Sequence, residues 1–221
     1  MTEFAGHTLF GADDSGSAAI EMALTRAGAA YRVIHAATWA PGAGLQALQA
    51  INPLGQIPTL QLPGGEVLTE SAAILIHLGL AFPATGLLPT EPTQRAQAIR
   101  GLVFIAANCY SAIGVIDYPE RWLDSTDPTT TGDSACDALR RGARLRLHLH
   151  WRVFADQFAT YPFLSGDTPG ALDLLAAVVS KWSGTRAYLR AALPEFHATL
   201  ERIERDPQAG PIFKRHWPDS A

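Results

Sequence analysis

The chain has 221 residues, a formal net charge of -4, 48% apolar and 17% charged side chains. Such a chain is globular and long enough to bury a good core as one domain or two, neither disordered nor membrane-spanning. The acidic balance argues against a nucleic-acid partner, which requires a basic face to displace counterions, and no basic stripe with interleaved aromatics occurs.

Residues 1–7 lack the basic n-region and apolar h-region of a secretion signal. The longest apolar run, 72–82, contains His77 and falls well short of the ~20 residues that cross a bilayer, so no membrane partner is expected. The two cysteines, Cys109 and Cys136, belong to no CxxC pair. Both sit in helical patterns as structural thiols, which fits a reducing cytoplasm.

Residues 8–10 read as a short apolar strand, 18–27 as a helix stopped by Gly28, and 31–35 as a second strand. Strand, helix, strand requires a crossover and hence a parallel pair. A short helix over 44–50 follows. Strands at 57–62 and 66–69 flank Pro63-Gly64-Gly65, which supplies the fixed and positive φ angles of a hairpin turn. Glu70-Ser71 then opens a helix over 72–80. The prolines and glycine of residues 82–92 break both periodicities, which places a linker there.

From residue 93 onward strand signals vanish, and helical periodicity covers 93–116, 133–159, 171–183, 185–192 and 195–205. The stretch 118–132, rich in Thr, Asp and Pro, reads as a long loop of the kind that is functional or mobile. His148 and His150 stand two apart, roughly 200° around a helix, so they cannot share a metal ion from one face, and no metal is expected.

The hairpin region has the makings of a ligand half-site. A helix starting at Ser71 presents unpaired backbone N–H groups and a positive dipole end to a carboxylate, and Glu70 offers the opposite charge to an ammonium group. Together they describe the head of an α-amino acid. If the Ile57-Pro58 bond is cis, the Ile57 backbone turns outward and can pair with an extended peptide in β fashion. The implied ligand is a small acidic peptide.

The residues Asn52-Pro53-Leu54-Gly55-Gln56-Ile57-Pro58-Thr59-Leu60, followed by Glu70-Ser71-Ala72-Ala73-Ile74, closely resemble the glutathione-binding strand, hairpin and helix of the cytosolic glutathione transferases. Length and domain order extend the likeness along the chain, as a bacterial member of the serine type or of no assigned class. The resemblance implies an α/β thioredoxin-like domain (βαβαββα) over 1–82, a linker over 83–92 and an all-α domain over 93–221. The pattern Gly166-Asp167 and Gly170-Ala171-Leu172-Asp173 resembles the family's capping box, with Gly170 where Ser or Thr is usual.

By the same resemblance Gln56 lies near the glycyl end of glutathione, Ile57 and Pro58 at the cysteinyl residue, and Glu70 and Ser71 at the γ-glutamyl head. Trp39 and Gln46 can assist. The thiol must be held as a thiolate, which a hydroxyl donor near a helix N-terminus favours. The first strand-to-helix turn, Ala12-Asp13-Asp14-Ser15-Gly16-Ser17, holds neither Tyr nor Cys, which leaves Ser15, then Ser17. The place of the activating serine in serine-type relatives falls on Asp14, and that of the cysteine in another bacterial class on Gly16. Tyr110, Tyr118 and Trp122 lie where the family borders its electrophile pocket.

The function expected is a glutathione transferase joining glutathione, as co-substrate, to a small apolar electrophile. Its alternatives are glutathione-dependent peroxide reduction and a non-catalytic glutathione-binding or dimerisation module. A cytoplasmic homodimer is what the resemblance implies.

Overall fold

The computed structural model describes residues 4–124 and 132–218. Of the loop expected over 118–132, residues 125–131 lie outside the described residues.

Strand β1 (His7–Gly11), helix α1 (Ser17–Arg26) and strand β2 (Tyr31–His35) form the expected crossover, with His7 to Gly11 paired parallel to Tyr31 to His35. Helix α2 (Ala43–Ile51) leads to β3 (Thr59–Gln61), antiparallel to β1, and β4 (Val67–Leu68), antiparallel to β3, followed by α3 (Ser71–Ala81). The sheet order is β2-β1-β3-β4. The pleat of β1 divides the core: Leu9 faces α1 and α3, whereas Phe10 faces a smaller cluster with Ala36 and Leu48 of α2. This is a thioredoxin-like domain.

After a 3-10 turn (Pro83–Thr85), every named element among the described residues is helical. Helix α4 (Pro92–Phe104) starts on a cap: the Glu91 carboxylate accepts from Thr93 N–H at 2.8 Å and Gln94 N–H at 2.6 Å. It continues through a π-helical segment (Ile105–Tyr110) into α5 (Ser111–Asp117). The joined run of 26 residues has a mean hydropathy of 1.7 over its most apolar window, enough in length and composition to span a bilayer. Its course is that of the helix expected over 93–116, and here it packs against α3, α6 and α7. A 3-10 turn (Pro119–Trp122), α6 (Asp133–Phe158), α7 (Ala171–Val179), α8 (Thr185–Ala192), α9 (Pro194–Glu204) and α10 (Gly210–His216) complete the chain.

All of α7 is buried, as a helix surrounded by α1, α4 and α9 must be. Its start is held by Asp173, fully buried, whose carboxylate accepts from Leu164 N–H at 2.7 Å and Gly170 N–H at 2.9 Å. Ser165 donates to the same carboxylate, and its side chain fills the space a β-carbon on Gly170 would need. Glycine at this cap is therefore matched to its neighbour, and the hydroxyl usual at this position has no room.

Helix α10 was not foreseen, since its 7 residues include Pro211 and are too short to show a period. It docks on α1 through Glu21, which meets Arg215 and lies 3.1 Å from His216 Nε2. Burial works to raise the Glu21 carboxyl, and the His216 hydrogen bond together with Arg215 overcomes it, leaving the group below its usual range.

Candidate functional site

The loop between α2 and β3 is set by one buried amide. Asn52 Nδ2 donates to Gln56 O at 3.1 Å and Thr59 Oγ1 at 2.9 Å, while Asn52 Oδ1 accepts from Leu54 N–H at 3.1 Å. Thr59 Oγ1 donates to Gln56 O at 2.8 Å, and Gly55 takes a φ of 59° that only glycine adopts freely. The Ile57-Pro58 peptide is cis. Strand β3 starts at Thr59 rather than at 57, and among the described residues neither the N–H nor the C=O of Ile57 is hydrogen-bonded. An extended peptide can use both. Asn52 is thus a positioning residue that sequence reasoning overlooked, although it opens the motif.

Helix α3 begins at Ser71 with no side-chain cap, and the first helical bond runs from Ile74 N–H to Glu70 O at 3.0 Å. The N–H groups of Ser71, Ala72 and Ala73 therefore face outward with the positive dipole end. Glu70 stands exposed beside them with φ 65° and ψ 113°, an uncommon conformation for a side chain-bearing residue. Such outliers concentrate at ligand clamps.

At the start of α1 the serines turn inward. Ser15 Oγ donates to Ala12 O at 2.7 Å, stands 2.8 Å from Ser17 Oγ and accepts from Ser17 N–H at 3.2 Å. Ser17 Oγ donates to Ala12 O at 3.1 Å and accepts from Ala12 N–H at 3.3 Å. Both hydroxyls are buried and occupied within the turn, one knot that fixes where the helix begins. Asp14 does not cap α1 as its type suggests: it has φ 55°, and the cap position is Gly16.

A residue from the helical domain reaches this spot. A β-carbon placed on Gly16 would overlap Tyr110 Oη and would lie 3.4 Å from Pro58 Cδ and 3.5 Å from Ser71 Oγ. Gly16, Pro58, Ser71 and the Tyr110 hydroxyl thus converge on one point. Trp182 flanks it, its ring 5.5 Å from that of Tyr110 and its Nε1–H donating to Asp14 O at 3.2 Å. Burial, with the negative charges of Glu70 and Asp117 adding to it, pushes the Tyr110 phenol well above its usual value, so it stays protonated through the neutral range.

The other named residues stand apart from this cluster. Tyr118 and Trp122 are exposed, Tyr118 lying under Arg121 at 3.9 Å from its ring centre, and Trp39 and Gln46 are exposed on and before α2. Gln56 is also exposed and contributes its carbonyl to the loop network. A cavity of about 550 Å³ lies between the π segment, α5 and α6, lined by Asn108, Ser111, Val115, Arg146 and His150. It includes none of the three aromatics named for the electrophile. His148 stacks on Tyr188 at 3.8 Å and His150 meets Phe104 edge-on, and no group of three metal-ligating side chains occurs among the described residues.

Residues 17–80 match the family model described as the glutathione S-transferase N-terminal domain. An uncharacterized GST-like protein, YncG, of Escherichia coli (strain K12) is 25% identical over 209 residues, 94% of this chain and 97% of its own. A glutathione transferase homologue from Sulfitobacter with bound glutathione superposes at TM-score 0.80 with 21% identity, over 96% of this chain and 99% of that one. A sphingomonad glutathione S-transferase complexed with glutathione superposes at TM-score 0.73 with 25% identity, over 95% and 98%. The chain is thus similar to glutathione transferases in its N-terminal domain, and along its length in the joining of a thioredoxin-like sheet to a helical bundle.

Proposed function

We propose that the chain binds glutathione across Ile57 and Ser71 and holds its sulfur as a thiolate for attack on a small apolar electrophile. The observation that carries this reading is the approach of Pro58 and Ser71 to one point beside Gly16, with an unpaired peptide unit at Ile57, an uncapped helix start at Ser71 and Glu70 next to it in the chain. The γ-glutamyl carboxylate meets the α3 N–H groups, its ammonium meets Glu70, and the cysteinyl residue pairs with Ile57. Gln56 serves the glycyl end without a charge. The sulfur then faces the start of α1, whose dipole favours the anion. Attack forms a bond from sulfur to carbon while the leaving group departs with its electron pair, and the thiol proton has already gone to solvent. In this reading Ser15 and Ser17 shape the turn, and Tyr118 and Trp122 border the electrophile. The protein works as a cytoplasmic homodimer, to which the exposed Val103 of α4 and Leu145 and Leu149 of α6 contribute apolar surface.

Asp14 at the activating place and the inward-facing serines favour one further reading, a module that binds glutathione without ionising it. Titration calorimetry separates binding from non-binding, and thiolate absorbance of the bound peptide separates enzyme from module. We expect saturable heat, a thiol ionised below neutral pH, and affinity about tenfold weaker in Glu70→Gln, the loss of one charge-assisted contact. No heat at millimolar peptide would remove both readings.

The backbone at Glu70 yields a second expectation. Glu70→Gly releases the φ of 65° while removing the carboxylate, and Glu70→Ala removes only the carboxylate. The glycine variant should be the more stable of the two by about 1 kcal/mol in urea unfolding, although both bind glutathione more weakly. Equal stabilities would show that the conformation carries no strain.

A further inference from the structure

We infer that the Tyr110 hydroxyl, delivered from the helical domain, is the hydrogen-bond donor to the glutathione sulfur, the role the serines of the first turn cannot fill as they are placed. The inference rests on the proposed glutathione site and adds the residue that acts on its thiol.

Three observations support it. The hydroxyl hydrogens of Ser15 and Ser17 are directed at Ala12 O and at each other, so neither is available to a ligand without dismantling the knot that starts α1. Tyr110 Oη stands over Gly16, in the space a β-carbon there would occupy and close to Pro58 and Ser71, and a peptide clasped between Ile57 and Ser71 passes that point. Among the described residues the Tyr110 hydroxyl makes no hydrogen bond, while its ring lies 5.5 Å from that of Trp182 and the charges of Glu70 and Asp117 act on it. A phenol with no partner at the mouth of an anion-favouring helix start has one use for its proton.

The placement has a structural cause. The helix that carries Tyr110 widens into a π segment over Ile105–Tyr110, and a π turn advances later residues by about 100° relative to an uninterrupted α-helix. Residue 110 is the last of that segment. Gly16 is the complement, because any side chain there would displace the hydroxyl.

In the step itself the thiol loses its proton to solvent, the sulfur keeps the electron pair, and Tyr110 donates a hydrogen bond to that pair while retaining its own proton. The phenol is a donor here and never the base. When sulfur bonds to the electrophile the hydrogen bond weakens, since the negative charge has left the sulfur.

The test uses the full-length protein with glutathione and with S-methylglutathione, whose sulfur cannot ionise. In Tyr110→Phe the pH midpoint for thiolate absorbance should rise by about one unit and kcat/KM for a chloronitrobenzene probe should fall about ten- to a hundredfold. Affinity for S-methylglutathione should stay within twofold of the parent. Gly16→Ala, which displaces the hydroxyl and leaves Tyr110 intact, should raise the midpoint in the same direction. An unchanged midpoint in both variants overturns the inference. Equal loss of both peptides also overturns it, because it would make Tyr110 a wall of the cleft. Should the parent protein bind neither peptide, the glutathione reading itself fails, an outcome separate from either.

Discussion

Asp173→Ala is expected to lower the stability of the protein by about 3 kcal/mol or more, among the largest effects of any single side-chain truncation in the molecule. The carboxylate is fully buried and accepts from the N–H groups of Leu164, Ser165 and Gly170 and from the Ser165 hydroxyl. Truncation leaves those donors without a partner in a place water does not reach, and each orphaned donor costs about 1 to 3 kcal/mol. Folded domains are stable by roughly 5 to 15 kcal/mol, so the loss is a large share of the whole. Asp173→Asn keeps one acceptor oxygen and should fall between the two. Urea unfolding at neutral pH checks this: the midpoint moves down in the order parent, Asn, Ala, with the slope unchanged. A midpoint for the alanine variant equal to the parent's would mean that the α7 start is held by packing alone.

Glu21→Ala should cost about 1 to 3 kcal/mol, because it leaves the buried His216 of α10 without its partner, whereas Arg215 is half exposed and keeps water around its charge. Its pH dependence has a definite sign. The folded carboxyl lies below its ordinary value, so the stabilisation is complete above the unfolded pKa of about 4.3 and disappears as pH falls through the folded one. Parent and Glu21→Gln should therefore differ most above about pH 5 and converge in more acidic solution. Unfolding curves at neutral and acid pH decide it: a gap of equal size at both would assign the contribution to shape, and would leave no role for charge.

What the sequence disclosed depended on whether local chemistry or distant partners determine a position. The hairpin was legible because Pro63-Gly64-Gly65 leaves few backbone alternatives, and α1 because Gly28, with φ 59°, stops it. The start of α3 at Ser71 was legible for its hydroxyl residue, even though that hydroxyl does not cap the helix. The π segment was not, since Ile105 to Tyr110 has ordinary helical composition and its neighbours, α6 and α7, lie far along the chain. Helix α10 escaped because its anchor, Glu21, lies far away in the chain. That Ser15 and Ser17 face each other is a matter of side-chain direction, which spacing does not encode. Tyr110 was named by resemblance as a border of the electrophile pocket, and that its hydroxyl reaches the start of α1 depends on how the two parts of the chain pack, which the sequence does not display.

The most direct trial of the central claim is a crystal structure of the protein grown with glutathione. The account predicts the γ-glutamyl carboxylate on the N–H groups at the start of α3, the cysteinyl unit paired with the Ile57 backbone, and sulfur within hydrogen-bonding reach of Tyr110 Oη. Glutathione found elsewhere on the protein, or in the cleft with its sulfur turned away from Gly16 and Tyr110, would contradict it.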